Sequence, residues 1–353
     1  MARITGTNQD DALIGTSRVD QVLGFEGQDT LDGGFGRDHL IGGPGDDTYL
    51  FDGSDRLFEH ARGGVDTAIT HVSYALPQNF EKLVLSGTGD IDGTGNSSDN
   101  VIVGNPGSNV LSGGDGNDYL DGGTTGFNVF GADLLLGGAG DDILIYDPDD
   151  QWNVLETFGF DGGAGTDTLR VVTDGQVFQL DSAIQNIEVI DLAAAENNVL
   201  FLNGTTVEQV SSTTDLLRIE GGADDRIYAV SDNYWRFSGN VSIEGETYEE
   251  YVHLGASATL HIDEDVDVQL ADALAPPPAP VQSSDAGSID AEVLQLTDVL
   301  SLDTDALAGN ETGIANTLAA GVQNIPSGAG IDHPMPAPSL TTLLVEPDVN
   351  PAV

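Results

Sequence analysis

Large apolar residues recur at a fixed interval near the amino terminus: Leu13, Val22, Leu31, Leu40 and Tyr49 are nine residues apart. Each stands two places after an aspartate (Asp11, Asp20, Asp29, Asp38 and Asp47) and seven places after a glycine (Gly6, Gly15, Gly24, Gly33 and Gly42). The blocks read GTNQDDALI, GTSRVDQVL, GFEGQDTLD, GGFGRDHLI and GGPGDDTYL. Such a fixed period is the signature of a stacked repeat. A short strand at the end of each block points its apolar residue inward, and a glycine-rich turn separates it from the next. One strand cannot bury its apolar side alone, so the pattern predicts an all-β solenoid held together by its neighbours.

The grid returns further on. GNSSDNVIV from Gly95, GNPGSNVLS from Gly104 and GGDGNDYLD from Gly113 keep the period. A block from Gly122 carries an insertion before Asp133, GGAGDDILI from Gly137 restores the frame, and GGAGTDTLR from Gly162 is the last copy. The chain therefore divides into a first array (1–50), a spacer whose β-rich TAITHVSYALPQNFEKLVL continues the roll (51–94), and a second array with insertions (95–170). Beyond it, VFQL, IEVIDL, NNVLFL, LLRIE, RIYAV, ATLHI and VDVQL predict a β-rich domain (171–270), packed end-on as a cap. A proline-rich linker (271–288) and a flexible tail (289–353) follow.

The residue types at the fixed places suit a hard cation. Glycines admit positive φ and let backbone carbonyls approach an ion. The aspartate offers the anionic oxygen that calcium prefers. Asn100 and Asn109 replace it in two blocks, and an amide gives a carbonyl oxygen without charge. Those turns are expected to bind weakly or only to complete the stack.

The blocks GGFGRDHLI, GGPGDDTYL, GGDGNDYLD and GGAGDDILI resemble the RTX family, whose nonapeptide G-G-x-G-x-D-x-U-x forms a calcium-binding parallel β-roll. The resemblance covers residues 6–50 and 95–170; the first two blocks lack the second and fourth glycines. It implies several calcium ions, bound between turns by aspartate carboxylates and glycine-turn carbonyls. Carried residue by residue, the carboxylates are Asp29, Asp38, Asp47, Asp118, Asp133 and Asp142, with Asp11, Asp20 and Asp167 at the margins of the pattern. The accompanying glycines are Gly33, Gly34, Gly36, Gly42, Gly43, Gly45, Gly113, Gly114, Gly116, Gly137, Gly138 and Gly140. NIEVIDLAAAENNVLFL and IEGGADDRIYAV are similar to the carboxy-terminal region of type I-secreted RTX adhesins. The family resemblance implies export by type I secretion machinery that reads an uncleaved carboxy-terminal signal, and hence an extracellular or cell-surface location.

Charge sharpens this picture. The chain holds 59 Asp plus Glu against 10 Lys plus Arg, a formal net charge of −49, and no Lys or Arg follows Arg236. Two carboxylates about 4 Å apart near a surface repel by roughly 4 kcal/mol at an effective dielectric of about 20. A compact state that gathers them needs counter-cations. Nucleic acid and anionic membrane are poor partners for such a chain. There is no cysteine, so no disulfide framework is available. MARITGTNQDD has no basic region followed by an apolar run, which argues against a cleavable leader, and no apolar run is long enough for a membrane-spanning helix.

Catalytic signatures are missing. The sequence holds no HExxH, no G-x-S-x-G and no phosphate-binding glycine loop with Lys-Ser or Lys-Thr. His253 and His261 could share neighbouring strands, but two ligands rarely suffice for a transition metal. Tyr234, Trp235, Arg236 and Phe237 could stack on a sugar, as could Trp152, although aromatic groups in β-domains more often fill the core. The expectation is a non-enzymatic calcium-binding protein with a structural or adhesive role, its partners cell-surface glycan or other copies of itself. A calcium-dependent carbohydrate-binding module and an export scaffold for an enzyme or toxin are the alternatives.

Overall fold

The computed structural model describes residues 1–61, 63–123, 133–146, 159–211, 214–229 and 234–269. The linker 271–288, the tail 289–353 and Trp152 lie outside the described residues. The described residues all belong to one compact unit, Met1–Ala279.

Each nine-residue block supplies one turn and one short strand. Successive strands therefore fall on alternate faces, and residues 18 apart stack: Ala12 pairs with Thr30, and Gln21 with His39, all in parallel. Strands Ala2–Thr5, Asp20–Leu23, His39–Ile41 and Arg56–Phe58 form a 4-stranded sheet on one face. Ala12–Ile14, Thr30–Asp32 and Thr48–Phe51 begin a 14-stranded sheet on the other. This is the parallel β-roll that the repeat predicts.

Residues 51–94 stay within the stack, with Thr67–Thr70 pairing in parallel with both Thr48–Phe51 and Lys82–Leu85. An unbroken column of inward residues results. It runs in register from Leu13 through Leu31, Tyr49, Ala68, Leu83, Ile102, Leu120, Leu144, Leu169, Ile190 and Ile219 to Ile262. Every member after Leu13 is fully buried. At roughly 1.5–3 kcal/mol for each large aliphatic chain removed from water, this ladder contributes to the core beside buried residues of the other strands such as Val22, Leu40, Leu111 and Leu135. Tyr49 is the outsized member. It stands beside the small Ala68, packs edge-on against Phe80 at 5.1 Å, and carries its hydroxyl out to the edge of the roll.

The region after residue 170 extends the same sheet. Val189–Asp191, Leu216–Glu220 and Thr259–Asp263 join in parallel, although the glycine grid has stopped. Among the described residues only Glu246–His253 and Trp235–Ile243 run antiparallel, closing the sheet as a hairpin. A single helix among the described residues, Gly204–Val210, is capped by the Asn203 side chain and covers the core with Val207 and Val210.

Candidate metal sites

The edges of the roll carry a polar column to match the apolar one. From Asp20 onward each aspartate stands at or just before the start of its strand, and its Oδ1 accepts a backbone N–H from the turn stacked beside it on the same edge, two blocks earlier. Asp29 Oδ1 receives Asp11 N–H at 2.8 Å, Asp38 receives Asp20 at 2.6 Å, and Asp47 receives Asp29 at 2.7 Å. The second array repeats the contact at 2.7 Å for Asp118 (from Asn100), Asp133 (from Asn109) and Asp142 (from Asp118), and at 2.8 Å for Asp167 (from Asp142).

The other oxygen is different. Oδ2 of Asp29, Asp38, Asp47, Asp66, Asp118, Asp142 and Asp167 is buried and accepts no hydrogen bond. These side chains are at most 2% exposed. A buried carboxylate with one satisfied oxygen has lost its hydration and gained half a replacement, and a buried charge is tolerated only when paired or bound to metal. Burial accordingly pushes Asp47 up to about 6 and Asp66, Asp118 and Asp167 to about 7. It raises Asp29, Asp38 and Asp142 as well.

Glycine turns line the space beside these oxygens. Gly45 has φ +142°, and a Cβ there would lie 1.8 Å from the Gly27 carbonyl oxygen. Gly140, at φ +141°, would meet the Gly116 carbonyl at 2.0 Å. A Cβ on Gly42, Gly113 or Gly122 would press on Oδ2 of Asp47, Asp118 or Asp133 at 2.1 Å. Gly137 would meet both Asp142 Oδ2 at 2.4 Å and the Gly162 carbonyl at 2.5 Å. Carboxylate and carbonyl oxygens thus converge where any other residue would intrude. All are hard oxygen donors, the set that calcium takes.

Not every predicted turn has this form. Asp11 and Asp20 sit in the blocks whose second glycine is threonine. Thr7 donates its backbone N–H (2.6 Å) and hydroxyl (2.8 Å) to Asp11 Oδ2, and Thr16 does the same to Asp20 Oδ2 at 2.7 and 2.6 Å. The Thr16 hydroxyl and N–H hold Asp20 below the usual carboxylate range. Oδ2 of both carboxylates thus has protein donors, unlike Oδ2 of the later aspartates. Asn100 and Asn109 reach the same end by another route: Nδ2 donates to the Phe80 carbonyl at 3.0 Å and to the Ile91 carbonyl at 2.6 Å. An amide hydrogen takes up the role that a cation would have beside an aspartate.

The structure adds carboxylates that the nine-residue frame hides. Asp55 receives Asp38 N–H at 2.7 Å, 17 residues away rather than 18, and Asp66 receives Asp47 N–H at 2.9 Å, 19 away. Glu81 continues this column by accepting from Asp66 N–H at 2.8 Å. Glu59 reaches Asp47 and Asp66; one ligand-capable oxygen from each of the three lies within 4.8 Å of the others. The surviving signals are Gly63-Gly64-Val65-Asp66, a shortened repeat, and Asp55-Arg56-Leu57, which keeps only the aspartate-to-core spacing. Nothing in the repeat frame marks Glu59.

The histidine pair does not converge. His253 packs edge-on against Trp235 at 4.9 Å, whereas His261 meets Glu250 at 3.3 Å. Of the aromatic cluster, Trp235 is buried, while Tyr234 and Phe237 are exposed. No helix of the described residues is long and apolar enough to cross a membrane.

Comparison with known proteins agrees with the geometry. The RTX calcium-binding nonapeptide repeat matches in 4 copies, at residues 5–40, 23–57, 94–124 and 130–150. Two proteins of Rhizobium meliloti (strain 1021), the endo-1,3-1,4-beta-glycanases ExsH and EglC, are each 46% identical to the chain over 54 residues. That stretch is 15% of this chain and 11% of each relative's own length.

Proposed function

We propose, from the premise that the chain is an RTX repeat protein and binds calcium, that it is a secreted, non-enzymatic component of the cell surface or extracellular space, structural or adhesive in role, that folds when it meets external calcium. The observation that carries this reading is the row of buried Oδ2 atoms without hydrogen-bond donors along both edges of the roll. Asp29, Asp38, Asp47, Asp66, Asp118, Asp133, Asp142 and Asp167 would hold the ions, together with carbonyls of the glycine turns. Bound calcium supplies the positive charge that lets these carboxylates stay ionised inside the fold.

The chain's own residues set the coupling. Each Oδ1 ties its turn to the one stacked beside it on the same edge, two blocks earlier, so the oxygens of a site converge only when both turns are stacked. In the unfolded chain the same carboxylates are dispersed and hydrated, and a net charge of −49 keeps them apart. Low calcium therefore favours an extended chain, suited to threading through a type I exporter. A site whose Kd is ten times below the ambient calcium adds about 1.4 kcal/mol to the folded state.

Circular dichroism during a calcium titration of the chelated protein tests the coupling. A cooperative gain of β-signal is expected, largely missing with magnesium, which demands a smaller octahedral shell. A chain already fully folded in chelator would sink the reading. Adhesion is tested by deleting the gene and measuring cell attachment, beside a glycan array with and without calcium. The two glycanase relatives favour a second reading, in which the roll is the export and folding scaffold of a glycan-cleaving enzyme. Release of reducing sugar from a 1,3-1,4-β-glucan would support it.

A further inference from the structure

We infer that Asp47, Glu59 and Asp66 form a distinct calcium site, the tightest in the chain, in which a glutamate from outside the repeat supplies a third carboxylate. The inference rests on the reading that the repeats hold calcium and adds a ligand that the repeat does not contain. The three side chains are 1%, 3% and 0% exposed, and one ligand-capable oxygen from each lies within 4.8 Å of the others. Independently of that clustering, Oδ2 of Asp47 and Oδ2 of Asp66 are buried and lack any hydrogen-bond partner.

Local chain geometry explains the glutamate. Strand Arg56–Phe58 ends directly before Glu59, and the turn that follows, Gly63 to Asp66, lacks two residues of the repeat, including the fourth-place glycine. Glu59 stands where that shortened turn has least to offer. Its Oε1 accepts the Tyr49 hydroxyl and, at 3.4 Å, the Gly43 N–H; Oε2 accepts the His60 N–H at 3.1 Å. A Cβ on Gly63 would come within 2.7 Å of Glu59 Oε2 and 3.1 Å of the Gly43 carbonyl oxygen, so a fourth oxygen borders the same space. Among the described residues no lysine or arginine pairs with any of the three carboxylates. Three negative charges on oxygen donors alone select calcium or a lanthanide over softer transition metals, and charge count raises calcium affinity.

The experiment uses the full chain stripped of metal, with calcium counted by equilibrium dialysis and first-ion affinity read by chelator competition. Glu59→Gln, a neutral isostere, is expected to weaken the first ion by at least about tenfold. Asp118→Asn should leave that first ion unchanged and remove a weaker one. Wild type binding no calcium would overturn the parent reading. Wild type binding calcium while Glu59→Gln binds it as tightly would overturn this inference alone, and would make Glu59 a proton-holding residue. Should Glu59→Gln not fold, terbium decides. The first equivalent added to wild type should luminesce when tyrosine is excited, because the Tyr49 hydroxyl bonds Glu59. Tyr49→Phe should abolish that emission, and its persistence would refute the site.

Discussion

Replacing Asp118 with asparagine separates the two roles of a repeat carboxylate. Oδ1 would keep its bond to the Asn100 N–H, now 2.7 Å, while the donor-less Oδ2 becomes an NH₂ group. The chain already contains that outcome in Asn100, whose Nδ2 bonds the Phe80 carbonyl at 3.0 Å. Without calcium the substitution removes a buried, uncompensated charge, worth about 1–3 kcal/mol in favour of the variant. With calcium at a thousandfold excess over Kd, wild type gains about 4.1 kcal/mol from the site and the variant gains nothing. Taking about 2 kcal/mol for the first effect, the stabilities cross near a thirtyfold excess, and wild type leads by about 2 kcal/mol at the thousandfold excess. Urea unfolding at millimolar calcium measures one end. Folding driven by trimethylamine N-oxide in chelator measures the other, since that osmolyte strengthens burial without supplying a cation. A variant destabilised equally in both conditions would refute the reasoning, because Oδ2 would then be holding protein rather than metal.

The raised carboxylates fix a pH dependence. Asp47 stands at about 6 and Asp66, Asp118 and Asp167 at about 7 in the folded chain, against 3.8 for an ordinary aspartate. Between these values the calcium-free fold holds protons that the unfolded chain has released. The stability they confer is complete below about pH 4 and is lost as pH rises through about 7. The chelated protein should therefore gain β-signal on acidification from pH 8 to 5, whereas calcium affinity falls over the same span because protons compete for the ligands. A chelated chain indifferent to pH across that range would contradict the assignment. Phe25 occupies the place that glycine fills in later turns, at φ +87° and largely exposed. The left-handed strain costs about 1–2 kcal/mol and glycine's extra entropy offsets about 0.5–1 of its relief, so Phe25→Gly should stabilise the calcium-loaded fold by up to about 1.5 kcal/mol in urea.

The sequence makes the arrays legible because one short-range rule covers both columns. Aspartate followed two places later by a large apolar residue puts Asp29 on the edge and Leu31 in the core whichever face the strand takes. Where the turn length changes, the rule loses its frame. Asp55 and Asp66 fall 17 and 19 residues after their partners, yet three-dimensional stacking absorbs the difference in the turns and leaves the strand register intact. Glu59 is invisible for a stronger reason: its contacts to Asp47, Tyr49 and Asp66 come from the path of a turn and follow no periodicity. The sheet beyond residue 170 hides similarly, since Ile190, Ile219 and Ile262 carry on the column without glycines to announce them. The aspartate rule also reads Asp11 and Asp20 as ligands, and it does not show that threonine at the second place of each block donates to their Oδ2 atoms.

The backward reach of every Oδ1 gives the roll a polarity of assembly. A turn docking at the amino-terminal end presents its N–H to a carboxylate already held in place, while a turn docking at the other end must first immobilise a mobile acid. Growth from the end that bears the antiparallel hairpin toward Met1 is therefore the expected order, and pulse-labelled hydrogen exchange that found the amino-terminal strands protected first would refute it.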